Sequence, residues 1–152
     1  IFLIIHDVFS KFIRGQLLEA VFVGVLSSIA LTIVGIDYAI VIGVIAGICN
    51  MIPYVGPIVG TVLAAIMGLL SGRPIKIIYA IIAMLIVQQI DNNLLAPKIV
   101  GESVGLHAVF TMLAIIIGGN AFGLIGMLIA VPLAASFRIL FNLWYEKKIN
   151  QL

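Results

Sequence analysis

The sequence predicts an all-α membrane protein that crosses the bilayer several times and contains short, broken helices. Hydrophobic residues make up 64% of its 152 residues, charged residues make up 9%, and the mean hydropathy is +1.35. Soluble globular domains of this size do not reach such values. Glycine and proline interrupt two of the apolar runs, which predicts two helical hairpins that either re-enter the bilayer or cross it fully. The lipid bilayer is therefore the first expected partner.

Composition also excludes several classes of function. The formal net charge is +2 and the basic residues are scattered, whereas nucleic-acid binding needs a clustered cationic surface. The single cysteine, Cys49, excludes an internal disulfide. No metalloprotease, nucleophile-elbow or phosphate-loop motif is present, and the two histidines are about a hundred residues apart. We therefore expect no enzyme, no cofactor and no metal site.

The first 36 residues predict two helices. Residues 1–16 are amphipathic at helical spacing, with Asp7, Lys11 and Arg14 on the polar side, as in a helix that lies on the membrane surface. Residues 17–36 are apolar over about the 20 residues that a crossing needs. Glu19 lies near the start of this second helix, so we expect it to reach the membrane interface.

Residues 38–71 predict a helical hairpin or a broken helix. Asp37 ends the preceding apolar run, and residues 38–52 form roughly 22 Å of helix, which is too short for a full crossing. Two prolines and two glycines follow within residues 53–60, and each proline removes a backbone donor that lipid cannot replace. The second arm is expected at residues 58–71. The candidate residues at this break, which either contact a substrate or satisfy freed backbone groups, are Asn50, Pro53, Tyr54 and Pro57.

A polar stretch, residues 88–107, separates two long apolar runs and is the predicted functional centre. It begins inside a helix expected at residues 75–95, which follows a loop at residues 72–74. Charged and amide side chains at the end of an apolar membrane helix are costly, so they often serve transport or coupling. The candidates for a substrate or ion pathway here are Gln88, Asp91, Asn92, Asn93 and His107.

Asp91 is the strongest single candidate, because a carboxylate beside amide side chains can hold a cation or exchange a proton. The alternative is that this helix end meets water at the headgroups, or that Asp91 pairs with Lys98. His107 could relay protons, because the unperturbed pKa of histidine lies near neutrality, although a single histidine near a helix start is more often structural. The sequence leaves both choices open.

Residues 104–137 carry no formal charge and predict the second hairpin. As one straight helix they would measure about 51 Å, which is too long for an ordinary crossing. A break at Gly118, Gly119, Asn120 and Gly123 leaves two arms of roughly 14 residues, each shorter than a full crossing. We expect Arg138 to end the second arm, and the aromatic and basic residues at 144–148 to anchor the chain at the interface.

The distribution of basic residues predicts an orientation. If each hairpin returns to its starting side, Arg73 and Lys76 lie on one side of the membrane. Six basic residues then lie on the other side: Lys11, Arg14, Lys98, Arg138, Lys147 and Lys148. The excess of positive charge places this second side, with the N-terminal flank and the C-terminus, in the cytoplasm.

Glycines at i, i+4 spacing predict close contacts between helices. The four pairs are Gly43/Gly47, Gly56/Gly60, Gly68/Gly72 and Gly119/Gly123. The spacing does not say whether these contacts lie within one chain or between chains. A homo-oligomer is one expectation.

Five blocks of sequence resemble the autoinducer-2 exporter (AI-2E) family of bacterial permeases. They are FIRGQLLEA at 12–20, IPYVGPIVG at 52–60, QQIDNNLLAPKIVG at 88–101, GLH at 105–107 and GMLIAVPLAA at 126–135. The resemblance is to the C-terminal half of the family, and it implies that residues 1–152 form the C-terminal part of one transmembrane transporter domain whose N-terminal helices lie upstream. One position departs from the pattern, since Ala108 stands where the family usually has proline.

The resemblance implies a multi-pass protein of the bacterial inner membrane. Family members have been assigned export of the quorum-sensing signal autoinducer-2, and others sodium/proton antiport. We therefore expect a permease that exports autoinducer-2 or another small polar solute. The alternatives are a cation/proton antiporter, a passive oligomeric pore and a non-transporting membrane scaffold.

Overall fold

The computed structural model describes residues 2–52, 55–95 and 108–149, and in these ranges every regular element is a helix. The helices are α1 (Phe2–Ile33), α2 (Ala39–Cys49), α3 (Val55–Leu70), α4 (Ile75–Ile90), a π-helical turn (Asp91–Leu95) and α5 (Ala108–Ile149). The predicted all-α class is therefore confirmed. Within the described ranges, three stretches are long and apolar enough to cross a membrane: Ile5–Ile33, Ile75–Leu95 and Val109–Tyr145.

The chain divides into two compact units. One unit is Gly15–Val100 and contains most of α1 with α2, α3, α4 and the π-helical turn. The other combines Ile1–Arg14 with Gly101–Leu152 and contains α5.

The predicted separation of a surface helix from the first spanning helix is wrong, because α1 runs without a break from Phe2 to Ile33. Its sequence contains no proline, so every backbone N–H after the first turn can take part in the helical ladder. The glycine at position 15 costs a helix only about 1 kcal/mol relative to alanine. That cost is too small to end a long apolar helix.

The predicted hairpin at residues 38–71 is confirmed as the pair α2 and α3. The chain leaves the helical conformation after Asn50, and the Val55 N–H donates to the Ile52 carbonyl, 3.1 Å away, at the start of α3. Pro57 was expected in the break but lies in the first turn of α3, where a missing N–H has no helical partner to lose. Pro53 and Tyr54 lie outside the described residues.

Small residues determine the packing of α3 between its neighbours. The buried positions of α3 recur every fourth residue and are Gly56, Gly60, Ala64 and Gly68. A Cβ added to Gly60 would lie 2.8 Å from Cβ of Ala46 in α2 and 2.6 Å from Cε of Met84 in α4. The helix backbones therefore approach more closely than larger residues would allow.

Glycines of α2 make an equally close contact with α1. A Cβ on Gly43 would collide with Oγ of Ser28, and a Cβ on Gly47 would lie 2.5 Å from the carbonyl oxygen of Ala20. The spacing left open whether these glycines contact helices of the same chain or of another chain. For α2 and α3, the contacts are within one chain. A homo-oligomer stays a prediction, without support from those glycines.

The second predicted hairpin is confirmed within α5. Phe122 (φ −137°, ψ 15°) and Gly123 (φ 62°, ψ −141°) leave the helical conformation and reverse the chain. Gly123 has the positive φ that a residue with a Cβ rarely adopts. The two arms then meet at glycine, because a Cβ on Gly118 would collide with the carbonyl oxygen of Gly126.

The break in α5 is narrower than predicted. Gly118, Gly119 and Asn120 are helical and belong to the first arm. The second arm was expected to end at Arg138 but continues to Ile149, because a single charged residue at the end of an apolar run does not interrupt a helix. In this extension the ammonium group of Lys148 lies 5.1 Å from the ring centroid of Trp144.

Candidate functional site

Four polar side chains are buried together in the unit Gly15–Val100, and we call them the polar cluster. Gln16 and Glu19 come from α1, Asn50 directly follows α2, and Asp91 opens the π-helical turn after α4. Their exposed fractions are 3%, 6%, 2% and 4%. Burial of polar groups is costly unless they find partners. The contacts inside the cluster therefore determine what it can do.

Hydrogen bonds connect three members of the polar cluster, and Asp91 lies beside them. The Gln16 side-chain amide donates to the backbone carbonyl of Asn50 over 2.7 Å. The Asn50 side-chain amide donates to Oε1 of Glu19 over 3.4 Å. The buried carboxyl group of Asp91 lies close enough to Glu19 and Asn50 to interact electrostatically with both. The cluster thus links α1, the end of α2 and the end of α4.

Helix packing brings α1 and Asn50 together. Gln16 and Glu19 are three residues apart, so they share one face of α1. Gly47 lies against the carbonyl oxygen of Ala20 and brings the last turn of α2 up to that face. Asn50 ends this turn, where its N–H donates to the carbonyl of Ala46 over 2.9 Å. These contacts fix the position of Asn50 beside Glu19.

The π-helical turn buries Asp91 while its neighbours face outward. Asp91–Leu95 form a π-helix, a wider turn that often occurs at functional positions. Asn92 and Asn93 are exposed, and the Asn93 side-chain amide donates to the Gln89 carbonyl over 2.8 Å. Gln88 is half-buried. Of the amide-rich group predicted around Asp91, only Asp91 itself enters the polar cluster.

The polar cluster has more hydrogen-bond acceptors than donors. Oε1 of Gln16 and Oδ1 of Asp91 are buried and have no hydrogen-bond partner among the described residues. The ion pair of the described chain joins exposed Asp7 to Lys11, and no basic side chain of those ranges pairs with Glu19 or Asp91. Two acids without a base can accept a proton, a small cation or the hydroxyl groups of a polar solute. No group of three or more potential metal ligands occurs in the same ranges.

Two of the predicted site residues meet in the structure although they are distant in sequence. Asp91 and Asn50 belong to different predicted breaks, and the polar cluster unites them. His107 lies outside the described residues.

Sequence reasoning missed Gln16 and Glu19. Glu19 was expected at the interface but is buried against Asn50 and Asp91. The available signal was that Glu19 is the single charged residue within residues 17–36, with an amide one turn earlier on the same face.

The helices and the polar cluster define a multi-pass α-helical membrane protein with a polar site buried among its helices. The family described as AI-2E family transporter matches residues 1–146. YueF of Bacillus subtilis (strain 168), a candidate transport protein by name, is 39% identical over 93% of this chain and 38% of its own length. The chain belongs to the AI-2E transporter family.

Other relatives agree with that membership. YrrI of Bacillus subtilis (strain 168), also named as a candidate transport protein, is 36% identical over 90% of this chain and 38% of its own length. PerM of Escherichia coli (strain K12), named as a candidate permease, is 30% identical over 93% of this chain and 40% of its own length. The chain therefore spans well under half the length of these relatives. No solved structure matches the chain at a significant level.

Proposed function

We propose that this chain is the C-terminal part of a transporter domain that exports autoinducer-2 or another small polar solute across the bacterial inner membrane. The observation that carries the proposal is the polar cluster, in which two acids and two amides are buried in a unit whose helices are otherwise apolar. Ionisable groups inside membrane helices most often mark a substrate or ion pathway. The family and the names of the relatives support transport as the activity.

The chemistry of the polar cluster suits a solute rich in hydroxyl groups. Its unpartnered oxygens are acceptors, and hydroxyl groups of a solute would donate to them. The turn that follows α2 begins at Asn50, so the break between α2 and α3 starts within the cluster. Broken helices of this kind are a recurring way to build a transport site within the bilayer.

Cation/proton antiport is a second candidate function. It is favoured by the specific finding that Glu19 and Asp91 are buried together without a basic partner in the described ranges. A site of this kind can hold a cation or a proton in turn, and alternate occupancy is what antiport requires.

A parallel flux assay separates these candidates. Full-length protein in sealed vesicles is tested for autoinducer-2 efflux and for sodium-driven proton movement, using the wild type and Asp91→Asn. We expect Asp91→Asn to remove transport in whichever assay the wild type supports, because the amide cannot carry the charge of the carboxylate. The control is Asp7→Asn, an exposed acid paired with Lys11, which should leave the flux unchanged. Wild-type flux in Asp91→Asn would remove Asp91 from the mechanism.

Two further outcomes would point to the remaining candidate functions, a passive pore and a non-transporting scaffold. A passive pore would pass ions in single-channel recordings far faster than a carrier cycle allows. A scaffold would show no flux, and cysteines introduced at the exposed positions Asn92 and Asn93 would not react with a water-soluble thiol reagent.

The proposed orientation places the N-terminal flank and the C-terminus in the cytoplasm. It follows from the greater number of basic residues on that side. Cysteine labelling from either side of the membrane, at Arg14 and at Arg73, tests it, since the two positions should react from opposite sides.

A further inference from the structure

We propose that a groove between α1 and α2 binds a further membrane-spanning helix of the full-length protein, one that lies outside residues 1–152. This α1–α2 groove belongs to the unit Gly15–Val100 and has a volume of about 780 Å³. The inference rests on the proposal that the chain is part of a longer transporter domain. It does not depend on which solute that domain carries.

Small residues of α1 form the floor of the α1–α2 groove. Ala20, Gly24 and Ser28 line it at intervals of four residues, so they follow one strip along the helix. α2 reaches this strip through Gly43, where a Cβ would collide with Oγ of Ser28. Ser28 is nevertheless only half-buried and still lines the groove. The part of the strip that α2 leaves open therefore has room for the backbone of another helix to approach closely.

Larger apolar residues form the two walls of the groove at the same four-residue interval. The α1 wall is Leu17, Val21, Val25, Ile29 and Ile33, and the α2 wall is Ile40, Val44 and Ile48. Rows of side chains at this interval are the ridges that pack into the grooves of a neighbouring helix. The α1 wall rises about 24 Å, so it could support a helix over most of the roughly 30 Å of hydrocarbon. Both walls thus suit a helix that crosses the bilayer beside α1.

The groove suits an apolar occupant, because its hydroxyl groups are already bonded to backbone. The Ser28 hydroxyl donates to the Gly24 carbonyl over 2.8 Å, and the Thr32 hydroxyl donates to the Ser28 carbonyl over 2.7 Å. The other side chains that line the groove are apolar. Contact with this surface is therefore van der Waals contact, which is what holds membrane helices together when no polar pair is available.

The lengths of the relatives indicate where such a helix comes from. YueF and YrrI match this chain over 38% of their own length, so most of each relative lies outside the matched part. A segment of that part that crosses the bilayer beside these helices would itself be helical, since its backbone groups must be satisfied internally. A tether within one polypeptide also raises the effective concentration of that helix above that of a second copy. A lipid chain gains nothing from the small floor, because it has no backbone to bring close.

Site-specific photo-crosslinking of the full-length protein in native membranes identifies the occupant. A photoreactive amino acid is placed at Val25 on one wall or at Val44 on the other. The control position is Val62 on α3, outside the groove, and the three valines are matched in exposure at 52%, 51% and 51%. We expect both groove positions to link, within one polypeptide, to a peptide from outside residues 1–152, and Val62 not to link to that peptide.

Four results of the crosslinking would overturn the inference. They are a lipid adduct at the groove positions, a link to residues 108–149, a product of twice the monomer mass, and the same linked peptide from Val62. The first assigns the groove to lipid, the second to α5 and the third to a second copy. The fourth shows that the reaction is not specific to the groove.

Enlarged side chains test the same contact without a crosslinker. Val25→Phe and Val44→Phe would overpack a seated helix, whereas fluid lipid would accommodate the ring. We expect both to lower the midpoint of thermal unfolding of the full-length protein by about 2–10 °C more than Val62→Phe does. Equal midpoints would overturn the inference. Absence of wild-type flux with the crosslink present would contradict only the transport function, and normal flux without the crosslink would contradict only the docked helix.

Discussion

Replacement of Gly47 by alanine tests whether close packing of α1 and α2 positions the polar cluster. The added Cβ would lie 2.5 Å from the carbonyl oxygen of Ala20 and 2.9 Å from Cα of Gly24. Both obstacles are backbone atoms of α1, which cannot rotate away as a side chain can. The two helices must therefore separate.

The required movement is large enough to break a contact in the site. Ordinary van der Waals contact begins at 3.4 Å, so the Ala20 contact falls short by 0.9 Å. The bond from Asn50 to Glu19 already measures 3.4 Å, near the limit for a hydrogen bond, and a shift of this size would break it. Overpacking of this kind costs about 1–3 kcal/mol of unfolding free energy.

Equilibrium unfolding of the full-length protein, followed by circular dichroism, measures this cost. The matched control is Gly24→Ala at the same helix pair, where the nearest atom to the new Cβ is the Gly43 carbonyl oxygen at 3.3 Å. Both substitutions gain the same helix propensity, so the difference between them reports packing. Equal stabilities of the two variants would refute the idea that Gly47 sets the distance between α1 and α2.

Three further predictions concern other contacts. Gly126→Ala should destabilise the α5 hairpin by about 1–3 kcal/mol, because its Cβ meets backbone of the opposite arm. Gly119→Ala should cost less, because its Cβ meets only the flexible side chain of Met127, and thermal unfolding of both variants measures the difference. Lys76→Met should lower the free energy of unfolding by at most about 1 kcal/mol, because the exposed hydrogen bond from Lys76 to the Gly35 carbonyl (2.6 Å) competes with water. A larger loss of stability in a denaturant titration would contradict this. Ser27→Ala should leave the free energy of unfolding unchanged or raise it by about 1 kcal/mol, because it removes a buried hydroxyl that has no hydrogen-bond partner in the described residues. A marked drop in stability would show that the hydroxyl is hydrogen-bonded.

The break after α2 and the reversal in α5 could both be predicted from composition along the chain. Proline and glycine within an apolar run have local effects, since each acts on its own backbone hydrogen bonds or its own φ angle. The exact residues of the breaks were harder to predict. Pro57 fits inside the first turn of α3, and two non-helical residues, Phe122 and Gly123, reverse α5.

The candidate site was only half predictable from the sequence. Asp91 and Asn50 are conspicuous because each is polar at the end of an apolar stretch. Glu19 looked like a residue at the start of a spanning helix, and its one local signal was the amide of Gln16 one turn earlier on the same face. Asn92 and Asn93 are polar and adjacent to Asp91, but their side chains are exposed. Successive side chains of the π-helical turn point to different faces, so only Asp91 points into the buried site.

The sequence by itself determined that this protein resides in a membrane, where its helices break, and that its polar groups are few. Hydropathy and backbone chemistry are properties of each segment, so they can be read without knowing which segments touch. Only the tertiary structure decided that Glu19 meets Asn50, 31 residues away, and Asp91. That meeting depends on how closely glycine-lined helices approach, which is a property of helix pairs and not of any one segment.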